Sequence, residues 1–144
     1  MSKTVTLSEK GLAAALRDLV DRWQDTYPKI TWNLDLDEKD LEALTEDADL
    51  AIYRMIQESL TNIARHAQCS EAAVRISRVM DRGGEVLEIV VSDNGQGFDP
   101  HAVSESGLRG MRERICKLGG KFNVDAGTGR GVAIRAVLQV VQIA

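Results

Sequence analysis

Hydrophobic positions recur along the chain with two different periods, and these periods predict alternating helices and strands. A first helix has its apolar residues about one turn apart, at Leu12, Leu16, Leu19 and Trp23. Ser8 can cap this helix, and Tyr27-Pro28 ends it. A second, longer helix runs from about Leu41 or Asp47 to Ala67.

Five strands are predicted, and in the first of them apolar and polar residues alternate as in a half-buried strand. They cover residues 30–36, 73–79, 86–92, 122–125 and 132–141. The turn chemistry of residues 81–84 joins the second and third strands as a hairpin, and residues 127–131 join the last two. A short helix over 108–118 lies between the hairpins, and Gly119-Gly120 is its plain C-cap.

This order of elements predicts the fold class. Because consecutive strands are joined mostly by hairpins, we expect a mixed, mostly antiparallel sheet with its helices on one face. That is a two-layer α+β sandwich. A chain of 144 residues can bury about 70% of its unfolded surface, so residues 1–144 form a single domain without disulfides or structural metal.

Composition excludes several classes of partner. The formal net charge is −4, and no run of five Lys or Arg occurs, which argues against a nucleic-acid backbone or an anionic membrane as partner. No apolar window reaches 18 residues and the polar start is not a signal peptide, so we expect no membrane segment in this chain and a cytoplasmic location. The chain has two cysteines, Cys69 and Cys116, and two histidines, His66 and His101, and their spacing matches neither a zinc site nor a redox CxxC motif. We therefore expect both cysteines to be reduced structural thiols.

The second helix carries the first motif with possible chemistry. Glu58, Asn62 and Arg65 lie opposite its apolar face, and His66 lies next to them around the helix circumference. Taken alone, such a trio is typical of a solvated polar face.

A second motif directly follows the apolar strand that ends near Ser92. Asp93 offers a carboxylate that can accept a hydrogen bond from an exocyclic amine, and Gly95 and Gly97 leave room for a ligand. An ordinary Asp-Asn-Gly turn is the alternative explanation.

A third motif opens the short helix with a glycine pair, Gly107 and Gly110. Unpaired backbone N–H groups and the helix dipole at such an N-terminus suit phosphate. Nine of the chain's 12 glycines lie between Asp93 and Gly131, more than hairpin turns require.

The ordered set of motifs resembles the N, G1 and G2 boxes of the ATP-binding domain shared by histidine kinases, type II topoisomerases, mismatch-repair ATPases and heat-shock chaperone ATPases. Residues 56–67 and 107–114 are most similar to bacterial sensor histidine kinases of the nitrate-sensor and sugar-phosphate-sensor group. Residues 7–16 resemble the segment that follows the dimerisation helices in that group. The resemblance covers essentially the whole chain and implies the Bergerat-type ATP-binding fold.

The resemblance also implies a role for each matching position. Asp93 would bind the adenine amino group, Asn62 would bind Mg²⁺ on the phosphates through its amide oxygen, and Glu58 would be the catalytic polar residue near the γ-phosphate. The other implied nucleotide-binding residues are Arg65, His66, Gly95, Gly97, Gly107, Leu108, Arg109 and Gly110.

One departure concerns the adenine pocket. The family usually has Gly-x-Gly-Thr before the last strand, whereas Gly129-Arg130-Gly131 is followed here by Val132. Thr128 stands one glycine early, and we place it in the pocket as a substitute for the family's threonine.

A second departure concerns the phosphoacceptor. Neither His66 nor His101 lies in the family's phosphoacceptor context, so the chain resembles a catalytic fragment without its dimerisation region. This predicts a monomer that binds ATP and Mg²⁺, whose partners are the parent's dimerisation domain and a response regulator, with a parent anchored in the inner membrane. The alternatives are a nucleotide-binding regulatory module or an anti-sigma-like serine kinase, and a plain α+β domain with glycine-rich turns.

Overall fold

The computed structural model describes residues 11–42, 44–95, 105–126 and 131–139, and at positions 66, 67, 105–107 and 126 it describes the backbone alone. Helices and strands follow in the predicted order. In chain order the elements are α1 (Leu12–Thr26), β1 (Thr31–Asp35), a 3₁₀ turn (Glu38–Leu41), α2 (Glu46–Asn62), a π turn (Ile63–Ala67), β2 (Glu71–Asp81), β3 (Gly84–Asp93), α3 (Glu105–Lys117), β4 (Lys121–Ala126) and β5 (Val132–Gln139).

The five strands form one sheet in the order β1-β2-β3-β5-β4. Only β1 and β2 pair in parallel, and the other three pairs are antiparallel. The predicted mixed, mostly antiparallel sheet of an α+β domain is therefore confirmed. The register places Asp93 opposite Ala72 on one side and Val132 on the other.

The core lies between the helices and the inward face of the sheet. Inward side chains alternate along each central strand with outward ones: Val74, Ile89 and Ile134 are buried, whereas their neighbours Arg75 and Arg135 are exposed. The fully buried face of α2 packs onto this layer through Ile52, Ile56 and Leu60. Burying such side chains contributes about 1.5–3 kcal/mol each and holds the two layers together.

Helix boundaries differ from the sequence prediction in three places. Thr45 caps α2 by accepting a hydrogen bond from the Ala48 N–H at 3.1 Å, so the Asp47 start was nearly right and the Leu41 start was wrong. The regular α-helix ends at Asn62 and a π turn continues to Ala67. The third helix begins at Glu105, three residues earlier than predicted.

The turn from α1 to β1 is held by aromatic packing and one glutamine. The Trp23 and Tyr27 rings stack with their centroids 5.4 Å apart, and the Trp32 indole N–H donates to the Tyr27 carbonyl at 3.1 Å. Gln24 bridges the turn by donating to the Ile30 carbonyl at 2.9 Å. The predicted end of α1 before the Tyr27-Pro28 pair is confirmed, whereas Ser8 lies outside the described residues.

The predicted C-cap at Gly119-Gly120 is confirmed in detail. Gly119 adopts φ +79°, and its N–H donates to the Cys116 carbonyl at 2.9 Å. The Gly120 N–H donates to the Ile115 carbonyl at 2.9 Å. This pair of bonds is a Schellman motif, which turns the chain from α3 into β4.

Candidate functional site

Three segments meet at one end of the sandwich, which we call the site end. They are the C-terminal end of α2 with the π turn, the end of β3 at Asp93, and the N-terminal half of α3. The chain passes from α2 through the π turn into the start of β2, and that start pairs with the end of β3. The C-terminal end of α3 leads into β4. The N-terminal half of α3 lies beside the C-terminal half of α2. The Ser59 hydroxyl lies 3.5 Å from the Met111 sulfur and marks this helix contact. The topology thus brings all three predicted motifs together.

Asn62 is buried at the C-terminal end of α2, with 8% of its surface exposed. Its Nδ2 atom is buried without a hydrogen-bond partner among the described residues. Glu58, one turn earlier, is half-buried, and Arg65 is exposed. The alternative of a solvated polar face is therefore wrong for Asn62.

Asp93 ends β3 with one carboxylate oxygen engaged and the other not. Its Oδ1 accepts the Gly95 N–H at 2.8 Å, whereas Oδ2 is buried without a partner among the described residues. Burial raises the pKa of the carboxyl, and the hydrogen bonds from the Gly95 and Val132 backbone oppose that shift. The free oxygen can accept a hydrogen bond from a ligand amine.

Cys69 lies beside Asp93, between the π turn and β2. Burial, and after it the negative charge of Asp93, raises the pKa of the Cys69 thiol. The thiol is half-buried and makes no disulfide. The expectation of structural thiols fits Cys69, which packs against the core, although Cys116 is exposed.

Asn94 anchors the chain directly after Asp93, and the sequence prediction missed this role. Its Oδ1 accepts the N–H groups of Ser70 at 3.0 Å and Glu71 at 2.9 Å. Its Nδ2 donates to the Ser70 hydroxyl at 3.0 Å. The sequence shows an Asn directly after the predicted ligand Asp, but the hydrogen-bond partners of this Asn lie more than 20 residues away along the chain. A local pattern therefore does not identify them.

Gly131 and Val132, which the sequence analysis noted only as a departure from the family motif at the adenine pocket, cover Asp93 from the β5 side. Gly131 adopts φ +77°, and a Cβ there would lie 2.2 Å from the Asp93 carbonyl oxygen. Val132 is buried opposite Asp93. Only the sheet register reveals these contacts, because β3 and β5 are not consecutive in the chain.

The N-terminal turns of α3 hold the third motif. Within the described range of α3, Glu105–Lys117, Gly107 and Leu108 lie in the first turn, a position where helix N–H groups generally have no partner within the helix. Gly110 lies beyond that turn, so its N–H is expected to bond within the helix. Arg109 is exposed beside them.

Some predicted site residues cannot be placed. Gly97 and Thr128 lie outside the described residues, and so does the side chain of His66. Within the described ranges, no three His, Cys, Asp or Glu side chains come together as metal ligands. Near the C-terminal end of α2, the Asn62 amide and the Glu58 carboxylate provide oxygen atoms one helical turn apart that could hold a cation.

Three clefts elsewhere on the described surface contain none of the predicted site residues. The first, of about 710 Å³, lies beside β1 and the 3₁₀ turn, where Arg17 pairs with Glu38 at 2.6 Å. The second, of about 420 Å³, lies between the N-terminal half of α2 and the C-terminal half of α3, and the third, of about 390 Å³, lies between the C-terminal halves of α1 and α2. Across the described ranges, no helix combines the length and apolar character needed to span a membrane.

Solved structures of sensor kinases have this fold. The histidine kinase domain of the Erythrobacter litoralis EL346 blue-light activated histidine kinase aligns with a TM-score of 0.70 and 22% identity, over 90% of this chain and 61% of that one. The mycobacterial sensor histidine kinase MprB aligns with a TM-score of 0.59 and 20% identity, over 85% of this chain and 93% of that one. The fold is that of histidine kinase ATPase domains.

Sequence comparison identifies the family. Residues 47–142 match the model of the "Histidine kinase-, DNA gyrase B-, and HSP90-like ATPase" family, and the chain belongs to that family as an ATP-binding domain of the histidine kinase type. Similar proteins are the sensor histidine kinase LiaS of Bacillus subtilis, 31% identical over 96% of this chain, and UhpB of Salmonella typhimurium, a histidine-protein kinase/phosphatase, 32% identical over 89%. The chain spans 37% and 25% of the lengths of these two relatives.

Proposed function

We propose that this chain binds Mg-ATP at the site end and presents the γ-phosphate to a histidine outside the chain. The observation that carries the proposal is that two buried polar atoms, Asp93 Oδ2 and Asn62 Nδ2, have no hydrogen-bond partner within the described part of the chain. An unpaired buried polar atom costs about 1–3 kcal/mol. A ligand that satisfies both atoms removes this cost, which supports a polar ligand reaching from Asp93 to the end of α2.

Asp93 selects adenine in this proposal. Because its Oδ1 is held by the Gly95 N–H, Oδ2 is the atom that accepts the adenine amino group. A guanine would present a carbonyl oxygen at that position and be repelled by the carboxylate. Gly95 is proposed to leave space for the ring, as is Gly97, which lies outside the described residues.

The phosphates lie toward α2 and α3. The Asn62 amide oxygen would hold Mg²⁺, and the metal would neutralise phosphate charge there. Arg65 and Arg109 are exposed cations near the two helix ends, with His66 proposed beside them. The N–H groups of Gly107 and Leu108 in the first turn of α3 would interact favourably with the negatively charged phosphates.

Glu58 is the proposed catalytic residue near the γ-phosphate. It is half-buried one turn before Asn62, on the same side of α2. Phosphoryl transfer depends mostly on positioning and charge neutralisation, so the nucleophile need not belong to this chain. We propose that the acceptor lies on a dimerisation domain of a longer parent, that a response regulator receives the phosphoryl group, and that this chain alone is monomeric.

Val132 favours a second candidate function. It is buried opposite Asp93 and carries no hydroxyl to assist at the adenine. A domain that binds nucleotide but no longer transfers phosphate, acting as a regulatory module, would tolerate this residue. An anti-sigma-like serine kinase is the related alternative.

A thermal melt with and without Mg-ATP tests nucleotide binding. Ligand at 100 times its dissociation constant stabilises the native state by about 2.7 kcal/mol, a rise of several degrees at this chain length. We expect this rise in the wild type and its absence in Asp93→Ala. No rise in the wild type at millimolar nucleotide would refute the site.

Mixing this chain with a separately produced dimerisation region of its parent separates the two functions. Labelled γ-phosphate should appear on the dimerisation region and not on this chain. Label on this chain would indicate an internal acceptor and overturn the proposal, and binding without any transfer to the dimerisation region would indicate the regulatory module or the serine-kinase alternative.

A further inference from the structure

We propose that Asn94 is a positioning residue for the nucleotide. It fixes the end of β3, and with it Asp93, relative to the segment that follows α2. The inference rests on the proposed function of the site end and adds Asn94 to the residues that shape nucleotide binding there.

The contacts of Asn94 converge on one short segment. Its side chain makes three hydrogen bonds to Ser70 and Glu71, at 3.0, 2.9 and 3.0 Å. Its backbone N–H donates a fourth, to the Glu71 carbonyl at 3.1 Å. One residue therefore joins the end of β3 to the start of β2 beyond the last regular pair of the ladder, Ala72 with Asp93.

The segment that Asn94 holds is itself fixed to the frame. The Ser70 carbonyl accepts the Thr31 N–H of β1 at 2.8 Å. On the opposite side, Gly131 lies so close to the Asp93–Asn94 peptide that an added Cβ would be 3.4 Å from the Asn94 Cα. The peptide after Asp93 is thus held between β2 and β5.

This arrangement matters because the nucleotide is one connected ligand. Adenine would contact Asp93, and the phosphates would contact Asn62 at the end of α2, so the separation of these two points must match the ligand. The chain between Asn62 and Ser70 contains a π turn and Gln68, whose φ is +49°. Asn94 bonds directly to the far end of this irregular stretch and thereby sets the separation.

Asn94 is exposed, so its replacement removes the anchor without opening the core. In Asn94→Ala, Asp93 keeps its strand pairing and the backbone bond to Glu71 remains, but the three side-chain bonds that hold the following peptide to the start of β2 are lost. We expect adenine recognition to weaken while contacts to the phosphates persist. A general loss of structure would weaken both alike.

Calorimetric titration with Mg-ATP, Mg-GTP and magnesium tripolyphosphate distinguishes these cases. In Asn94→Ala we expect the ATP affinity to fall about ten-fold, the tripolyphosphate affinity to change less than two-fold, and the preference for ATP over GTP to approach that of Asp93→Ala. Asn94→Asp should restore ATP binding to within about three-fold, because its carboxylate accepts the same two N–H groups. The matched control Ser70→Ala removes only the hydroxyl partner and should cost less than three-fold.

Equal losses for ATP and tripolyphosphate in Asn94→Ala, or no loss for either, would overturn the inference. If Asn94→Ala does not fold, Asn94→Ser takes its place with the same three ligands, since its shorter side chain does not reach both N–H groups. A wild-type chain that binds none of the ligands refutes the proposed function itself, and the inference with it. That result is read before any variant is compared.

Discussion

The two ends of the sandwich use glycine for opposite purposes. At the closed end, where α3 passes into β4, Gly119 and Gly120 complete a helix cap, and a Cβ on Gly120 would meet Leu138 at 2.6 Å. At the site end, Gly131 lets β5 approach the Asp93 backbone, and two buried polar atoms nearby have no partner among the described residues. The sequence shows glycine-rich turns in both places, and only their surroundings distinguish them.

The difference teaches how stability and binding are divided in this domain. At the closed end, close packing around Gly120 and the backbone hydrogen bonds of the helix cap stabilise the fold. Unpaired groups at the site end cost stability in the free chain and are available to a ligand. Substitutions at the closed end should therefore change unfolding alone, and those at the site end should change binding as well.

Gly131→Ala should have the largest effect and should break both properties. Its Cβ would lie 2.2 Å from the Asp93 carbonyl oxygen in a backbone conformation that alanine rarely adopts. We expect a loss of about 3–4 kcal/mol in the free energy of unfolding and the loss of nucleotide-induced stabilisation. Urea unfolding with and without Mg-ATP measures both, and retained binding in the folded fraction would show that Gly131 does not shape the site.

Gly120→Ala should be nearly as destabilising but should spare binding. The added Cβ would lie 2.7 Å from the Val137 carbonyl oxygen and 2.8 Å from the Ile115 Cγ2 atom. We expect a loss of about 3 kcal/mol on unfolding. At a temperature where the variant is folded, its ATP dissociation constant should match the wild type, and a clear weakening would mean that the two ends are coupled. Gly119→Asn is the matched control, since asparagine tolerates a positive φ.

Asp49→Asn should have the smallest effect and sharpens the comparison, because Asp49 is an unpaired carboxyl at the closed end of α2. Its Oδ1 is buried without a partner among the described residues, and burial, followed by the charge of Glu46, raises its pKa from 3.8 to about 6. The folded state holds this proton to higher pH than the unfolded state does, so wild-type stability falls as pH rises from about 4 to about 6.

The Asp49→Asn variant should lack this fall. After discounting for solvent exposure, we expect it to be about 1 kcal/mol more stable than the wild type at pH 7 and nearly equal at pH 4. Urea unfolding between pH 4 and pH 7.5 measures the difference. Parallel pH curves for the two proteins would contradict the assignment, and the ATP dissociation constant serves as the control that should not change.

Most of the fold could be predicted from local pattern. Turn residues such as Tyr27-Pro28 and Gly119-Gly120 ended the helices where expected, because their backbone preferences act within a few residues. The start at Leu41 was wrong because Asp37 opens a separate 3₁₀ turn there, accepting the Lys39 N–H at 3.0 Å. A short capped turn followed by a capped helix looks like one helix when only the spacing of apolar residues is considered.

Candidate site residues were predicted in part, and their roles remain predictions. Asp93 and Asn62 could be selected because the ordered motifs resemble a known ATP-binding domain, and both are placed at the same end of the sheet. Asn94 was not selected, and Gly131 and Val132 were noted only as a departure from the family motif, because their contacts to or across Asp93 depend on which strands pair. Spacing along the chain carries no information about such pairing.

The sequence by itself determined the order of helices and strands, the family resemblance and the two most informative polar residues, since periodicity, turn chemistry and motif spacing are local properties. Tertiary structure alone decided that β5 inserts between β3 and β4 and that Asn62 is buried rather than solvated. It also decided that one Asp93 carboxylate oxygen is buried with no partner among the residues that the structure describes. The physical reason is that burial and hydrogen-bond satisfaction depend on neighbours from distant parts of the chain. Those neighbours are defined only once the sheet has formed.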